Sequence, residues 1–355
     1  MSDSKTVFVI GAGASAEAGL PTGDKLKKII SERLSYETPR TGGTYSGDER
    51  LLQAFSYREE LNRTNAGANG LTRYLTEASH IHKHLVLSPS IDNFIDQHRG
   101  NEVLEFVAKA AIVRSILEAE RASHLYPIRI PSREPEIDFN ALSSTWYMRF
   151  YYLVTQNCGF EDLPRRLERL TLIIFNYDRC AEFFLKNALK AHYRRDETEV
   201  AEVMNHLKIY HPYGSIGTSD FADFPVEVEF GEGQISRDKL VDLTRHIKTF
   251  SEGTDSATSP NSMLKQEVHD AKTLVFLGFT FRELNMRLIA PLYDPKDPIK
   301  ITQVFATAFE SSESDIRSMQ FQAKSLTGGK PTAEAHIENL KCFDFFNHFS
   351  LSLDF

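Results

Sequence analysis

Short apolar runs rich in β-branched residues recur along the chain, and they predict the strands of a sheet. The clearest runs cover 5–10, 170–175, 273–277 and 301–307, and a shorter one covers 207–210. Most of these runs are continuously apolar, without the alternation of a half-exposed strand. That pattern is typical of a parallel sheet buried on both faces.

Between the first and second runs the apolar positions follow helical spacing instead. A helix is predicted at about 16–34, and further helical segments are predicted over 48–125 and 142–154. Segments that alternate between strand and helix favour an α/β fold. We therefore predict a Rossmann-like parallel sheet with helices on both faces and a large all-helical insertion after the first βα unit.

The predicted domain boundaries follow from this reading of the chain. Residues 1–38 and 166–355 are expected to form the Rossmann-like domain, and residues 39–165 are expected to form the helical insertion. The 355 residues are enough for one large α/β domain that carries such an insertion.

Composition narrows the classes of function. Apolar residues make up 41% and charged residues 25% of the chain, as in an ordinary globular protein. No apolar stretch has the length of a membrane span, and the first residues lack a signal-peptide core, so we expect a cytoplasmic protein without membrane association. The formal net charge of −8 gives no strong signal for nucleic-acid binding.

The three cysteines, Cys158, Cys180 and Cys342, lie far apart in the sequence and form no CxxC pair. This spacing is incompatible with a disulfide framework and with a zinc site of four cysteines. We therefore predict no metal site and no zinc.

The first strand run leads into Gly11-Ala12-Gly13-Ala14-Ser15 and then into a helix-forming stretch. A strand, a glycine turn and a helix N-terminus present backbone N–H groups to a phosphate. Gly11 suits the tight turn, Gly13 would allow a pyrophosphate to approach, and Ser15 could cap the helix or donate to a phosphate oxygen. The alternative is a tight βα turn without a ligand.

Polar residues follow three further strand runs, at the edge where open α/β sheets bind their ligands. They are Asn176 and Asp178 after the second run, His211, Tyr213, Gly214 and Ser215 after the third, and Gly278, Thr280 and Asn285 after the fourth.

The run GAGASAEAGLPTG at 11–23, which includes Thr22, resembles the sirtuin signature GAG-x-S-x-x-x-G-[IL]-P. Asn-Tyr-Asp at 176–178 resembles the motif that sirtuin-like NAD hydrolases carry at the corresponding strand end. Gly278-Phe-Thr-Phe281, followed by Asn285, is similar to the Gly-Phe-x-Phe stretch of many sirtuin-like proteins. Deacylating sirtuins carry a zinc module built on paired cysteines, and this chain has no such pairs.

The resemblance implies that NAD⁺ is the substrate. Backbone N–H groups around Gly11, Ala12 and Gly13 would hold the pyrophosphate, Asn176 would orient the ribose hydroxyls or the attacking water, and Asp178 would hold the nicotinamide carboxamide. Ser15, Thr22, Gly214, Ser215, Gly278, Thr280 and Asn285 complete the implied NAD-binding set. In sirtuins the catalytic histidine directly precedes a Gly-Ser pair at a strand end. If the chain is aligned on Gly214-Ser215, Tyr213 stands at the position of that histidine, and if it is aligned on the end of the strand, His211 does. Both alignments stay open.

The function implied by the resemblance is NAD⁺ glycohydrolase activity, which cleaves the nicotinamide–ribose bond. Sirtuin-like proteins without the zinc module act in this way as effectors of bacterial antiphage defence. A separate sensor or activator protein and a homo- or hetero-oligomer are then expected. The alternatives are a catalytically impaired NAD- or nucleotide-binding regulatory subunit of a defence complex and, less favoured, a protein deacylase.

Overall fold

The computed structural model describes residues 4–36, 47–62, 70–129, 131–132, 134–217, 226–248, 260–292 and 294–353. Its single sheet is parallel throughout, with the strand order β3-β2-β1-β4-β5-β6. The strands are β1 (Thr6–Ile10), β2 (Leu170–Ile174), β3 (Lys208–Tyr210), β4 (Thr273–Leu277), β5 (Gln303–Thr307) and β6 (Glu334–Glu338). This is the strand order of a Rossmann-like fold, and the predicted fold class is confirmed.

The register of the central strands brings three loops to one edge of the sheet. Ile10, the last residue of β1, pairs with Ile174 at the end of β2 and with Leu277 at the end of β4. The strand order reverses between β1 and β4, which is where sheets of this kind open a crevice for ligands. A ligand site at this edge would be formed by the loops that leave these three strand ends.

The described residues also form fifteen α-helices. They are α1 (Ala12–Ser15), α2 (Gly23–Arg33), α3 (Glu49–Asn62), α4 (Gly70–His84), α5 (Ile91–Gln97), α6 (Glu102–Ala122), α7 (Trp146–Thr155), α8 (Leu163–Leu167), α9 (Cys180–Tyr193), α10 (Glu197–Met204), α11 (Arg237–Leu243), α12 (Pro260–Asp270), α13 (Glu283–Ile289), α14 (Glu313–Leu326) and α15 (Cys342–His348). None of these helices is long and apolar enough to cross a membrane.

Two local differences from the sequence prediction have clear physical causes. The helix predicted at 16–34 is divided, because Gly19 takes a left-handed φ of 95° and Pro21 follows two residues later. The strand β6 has no apolar run: its sequence EAHIE is half-exposed and buries only Ile337. An edge strand of this composition resembles a polar loop in sequence.

The chain divides into two compact units. The first takes in the described residues of Met1–Gly19, His124–Pro212 and Gly253–Phe355, and it contains the whole sheet. The second takes in the described residues of Leu20–Ser123 and Tyr213–Glu252. The predicted domain boundaries stay a prediction. So does the all-helical insertion, because the described residues between β1 and β2 also include an isolated β-bridge, Ile128 with Glu136.

The core of the first unit packs against β1. The Phe8 ring lies edge-on to the Phe150 ring of α7, with 5.1 Å between the centroids, and it stacks on Phe346 of α15 at 6.3 Å. All five residues of each of β1, β2 and β4 are buried. Buried strands hold the loops at their ends in fixed positions, which a site at this edge requires.

Candidate functional site

The turn after β1 and the turn after β4 touch backbone to backbone. The Gly11 N–H donates to the Leu277 carbonyl at 2.9 Å, and the Gly13 N–H donates to the Gly278 carbonyl at 3.0 Å. A Cβ atom on Gly11 would lie 2.5 Å from the Gly278 oxygen, and one on Gly13 would lie 2.9 Å from it. Gly278 has a φ of +54°, a conformation that favours glycine. These glycines are required by the contact between the two turns.

The same contact occupies donors that were expected to bind a pyrophosphate. Besides the Gly11 and Gly13 N–H groups, the Ala14 N–H is also paired, with the Gly11 carbonyl at 2.9 Å. Three of the four N–H groups over residues 11–14 are therefore engaged, and the fourth belongs to Ala12. The role of this turn in binding NAD stays a prediction.

A buried chain of three side chains joins the ends of β1 and β2. The Asn176 amide donates through Nδ2 to Ser15 Oγ at 2.8 Å, and Ser15 Oγ donates to Asp178 Oδ1 at 3.2 Å. The N–H of Cys180, the first residue of α9, donates to the same Asp178 oxygen at 3.1 Å. The side chains of Asn176, Ser15 and Asp178 are all buried. Ser15 therefore donates its single hydroxyl hydrogen to Asp178. The sequence had suggested a phosphate oxygen as one partner for this hydroxyl.

Asp178 is the titratable centre of this cluster. Burial raises the pKa of Asp178 to about 6, and the nearby Glu182 adds to the rise, while hydrogen bonds from Cys180 and Ser15 oppose it. Such a carboxyl is mostly ionised at pH 7 and yet able to take up a proton. A pKa close to the working pH is what a general base needs.

Tyr147 lies beside the same cluster and was not predicted from the sequence. Its side chain is buried, and its hydroxyl has no hydrogen-bond partner among the described residues. Burial and the nearby Cys180 and Asp178 raise the pKa of Tyr147 well above its usual value, so the phenol stays neutral. A buried hydroxyl without a partner is uncommon, because it loses the hydrogen bond that water would give.

The start of α7 is fastened to the turn after β1. The Trp146 indole N–H donates to the Ala14 carbonyl at 3.0 Å, and the Trp146 backbone N–H donates to the Glu17 carboxylate at 2.7 Å. These two bonds fix where the next residue, Tyr147, stands. Nothing in the sequence pattern around Tyr147 distinguishes it from an ordinary core aromatic.

His211 follows β3, and both of its ring nitrogens face acceptors. Nδ1 lies 3.2 Å from the Asn176 carbonyl oxygen, and Nε2 lies 2.9 Å from Glu182 Oε1. Both bonds form together only if both nitrogens carry hydrogen. Burial lowers the pKa of His211, but the Glu182 charge and the two hydrogen bonds outweigh it, so the pKa is raised. In that doubly bonded form the ring offers no lone pair to a substrate, and the predicted role of His211 as the catalytic base stays a prediction.

Glu182 is the second residue that sequence reasoning missed, although a signal was present. It lies four residues after Asp178, in the first turn of α9, and its charge acts on the Asp178 carboxyl. Its Oε2 atom has no hydrogen-bond partner within the described part of the chain. The two acidic residues, Asp178 and Glu182, are visible in the sequence, but only the structure shows that Glu182 is the partner of His211.

The predicted residues after β4 make local contacts. The Gly278 N–H donates to Thr307 Oγ1 at 2.8 Å, which ties the turn to the end of β5. The Asn285 amide donates to the Thr280 carbonyl at 3.4 Å, and Thr280 is exposed. Their predicted contacts with NAD stay predictions.

The remaining predicted residues belong to the second unit. Thr22 precedes α2 as its N-cap without a capping side-chain hydrogen bond. Tyr213 and Ser215 are buried, and the Tyr213 carbonyl accepts from the Lys248 N–H at 2.9 Å. Gly214 has a φ of +74°, and any Cβ there would run into the His246 carbonyl. This glycine is therefore required within its own unit.

Comparison of the sequence with models of protein families finds no match, and neither does comparison with curated proteins. Over the described residues, no group of three or more histidine, cysteine, aspartate or glutamate side chains is arranged to hold a metal ion.

Proposed function

We propose that the protein is an NAD⁺ glycohydrolase that cleaves the bond between nicotinamide and ribose. The observation that carries the proposal is the buried chain from Asn176 through Ser15 to Asp178 at the carboxyl ends of β1 and β2. The Rossmann-like strand order and the sirtuin-like motifs at these strand ends support a dinucleotide as the substrate.

The chemistry of this reaction suits a site without a strong acid. The nicotinamide ring of NAD⁺ is a cationic pyridinium, so it leaves as a neutral molecule and needs no proton. The ribose C1′ becomes positively charged, and water adds to it with loss of one proton. The site must therefore stabilise positive charge, position a water molecule and accept a proton.

Asp178 can supply both the charge and the proton acceptor. Its carboxylate is buried, where a negative charge acts on a developing cation more strongly than it would in water. Ser15 holds one carboxylate oxygen in place, and Asn176 holds Ser15. His211 faces Glu182 and the Asn176 carbonyl, so in this proposal it positions Asn176, and the proton acceptor is Asp178.

The test is nicotinamide release from NAD⁺ by the purified full chain, measured by liquid chromatography for wild type and variants under the condition that gives the highest wild-type turnover. Asn176→Ala removes the donor that holds Ser15, and we expect turnover to fall about a hundredfold while the fold is kept. Asn187→Ala is the matched control, because Asn187 bonds to the Phe183 carbonyl within α9. Full activity of Asn176→Ala would refute the assignment of the site.

We further propose that the enzyme acts as a defence effector that a partner protein or self-assembly activates. This rests on the sirtuin-like motifs, and it predicts low turnover by the isolated chain. The assay therefore includes the proteins encoded beside it and a range of concentrations. Turnover that depends on neither would contradict the proposed activation.

A second candidate function is a nucleotide-binding regulatory subunit without turnover. One observation favours it: both ring nitrogens of His211 face acceptors, an arrangement that does not suit a catalytic base. Saturable NAD⁺ binding by calorimetry, with no nicotinamide released under any condition, would establish this candidate and exclude the glycohydrolase.

A further inference from the structure

Three histidines gather in the second unit, apart from the residues assigned to NAD. His80 and His84 lie one turn apart near the end of α4, and His98 follows α5. The Nε2 atoms of His80 and His98 are 3.3 Å apart, and the ring centroids of His80 and His84 are 4.6 Å apart. His80 and His98 are half-buried and His84 is exposed.

Backbone carbonyls fix the tautomers of two of these rings. His98 Nδ1 lies 2.8 Å from the Phe94 carbonyl oxygen, so this nitrogen carries hydrogen and Nε2 has the lone pair. His84 Nδ1 lies 2.9 Å from the His80 carbonyl oxygen, with the same consequence. A histidine whose other nitrogen donates to a carbonyl is the usual arrangement in metal sites, because the bond orients the ring and raises its basicity.

The distance between the two Nε2 atoms fits a shared ligand. Two nitrogens that each bind a tetrahedral metal at about 2.0–2.1 Å lie about 3.3 Å from each other. We propose that His80 and His98 form a two-histidine site for a divalent late first-row transition-metal ion, with water in the remaining positions. Imidazole suits zinc, nickel and copper, and it is a poor ligand for calcium or magnesium.

Metal binding replaces a shared hydrogen. Without metal, His80 Nε2–H donates to the lone pair of His98 Nε2. When the metal takes that position, His80 carries its proton on Nδ1 and offers the Nε2 lone pair, so the ligands stay neutral and no proton is lost.

The local charges favour a cation. Glu77, one turn earlier on α4, adds a negative charge near His80. The positive charge of Arg99 is neutralised by Asp96, whose carboxylate lies 2.5 Å from the guanidinium.

The test uses tag-free full-length protein titrated with Ni²⁺ at pH 7.5 by calorimetry. We expect one ion per chain and an affinity at least tenfold lower in His80→Gln and in His98→Gln. His206→Gln is the matched control and should bind like the wild type, because His206 pairs with Glu168 in the first unit. Circular dichroism checks that each variant keeps its fold.

A second measurement needs no variant. A crystal soaked in Zn²⁺ should show an anomalous peak within bonding distance of both Nε2 atoms, about 2.0–2.1 Å from each. An ion elsewhere, or an affinity that neither substitution changes, would overturn the proposal. Because neither measurement uses NAD⁺, the result is independent of the proposed glycohydrolase activity.

Discussion

Replacing Asp178 by asparagine should stabilise the protein at neutral pH while it impairs the proposed reaction. Asparagine keeps an oxygen that can accept from Ser15 and from the Cys180 N–H, so the two hydrogen bonds to Asp178 Oδ1 can be retained. What the substitution removes is a negative charge that the fold buries. Burial disfavours the charged form, which is why the pKa of Asp178 is raised to about 6.

The sign and size of the effect follow from linkage. The folded-state pKa of Asp178 lies above the unfolded value of about 3.9. Its contribution to the free energy of unfolding is therefore largest below pH 4 and is lost as the pH rises through 6. The difference of about two pKa units between the folded and unfolded states corresponds to a loss of about 3 kcal/mol of unfolding free energy at pH 7.5. At pH 4.5 the same relation gives a loss of only about 1 kcal/mol of unfolding free energy, because the folded carboxyl is still protonated and the unfolded carboxyl is only partly ionised.

The assay is urea unfolding of the wild type and of Asp178→Asn at pH 7.5 and pH 4.5. We expect the variant to gain about 2 kcal/mol more at the higher pH. Asp270→Asn is a control of opposite sign: although its partial burial acts to raise the pKa, bonds from Lys300 and Gln266 bring the pKa of Asp270 to about 2. That variant should lose stability at pH 7.5. Equal shifts of Asp178→Asn at both pH values would refute the reasoning.

Three further substitutions test the contacts around the site. Gly13→Ala should cost about 1–3 kcal/mol of unfolding free energy, because its Cβ would meet backbone at 2.9 Å, whereas Gly23→Ala has open space and should be neutral or stabilising. Glu182→Gln should lower the pKa of His211 in an NMR titration, and an unchanged value would contradict the ion pair. Trp146→Phe removes a buried donor and should cost about 1–3 kcal/mol in urea unfolding, and equal stability would show that the indole bond contributes little.

Much of the sheet could be predicted from the sequence because its strands are buried on both faces. The runs that became β1, β2 and β4 are apolar at nearly every position, and the sheet buries all of them. The edge strand β6 could not be predicted in this way. It buries one side chain, so its pattern carries little hydrophobic signal.

The site could be predicted only in part, for a different reason. Asn176, Asp178 and Ser15 follow strand runs, and the rule that parallel strands end at one edge brings them together. Tyr147 lies on α7, which is far in the sequence from any strand end, so only tertiary packing brings it to the cluster. The partner of His211 was likewise hidden, because a pair between a loop after β3 and the first turn of α9 depends on distances that no sequence spacing encodes.

The glycines of the first turn show why a motif alone cannot decide the function. Gly11 and Gly13 face Gly278 so closely that the fold requires them whether or not a phosphate binds. Asp178 is different, because packing does not require its charge. An asparagine could accept the same two hydrogen bonds, and the ionised carboxyl costs stability at neutral pH. A buried charge that weakens the fold is better explained by a reaction or ligand that needs it, and this makes Asp178 the sharper indicator of function.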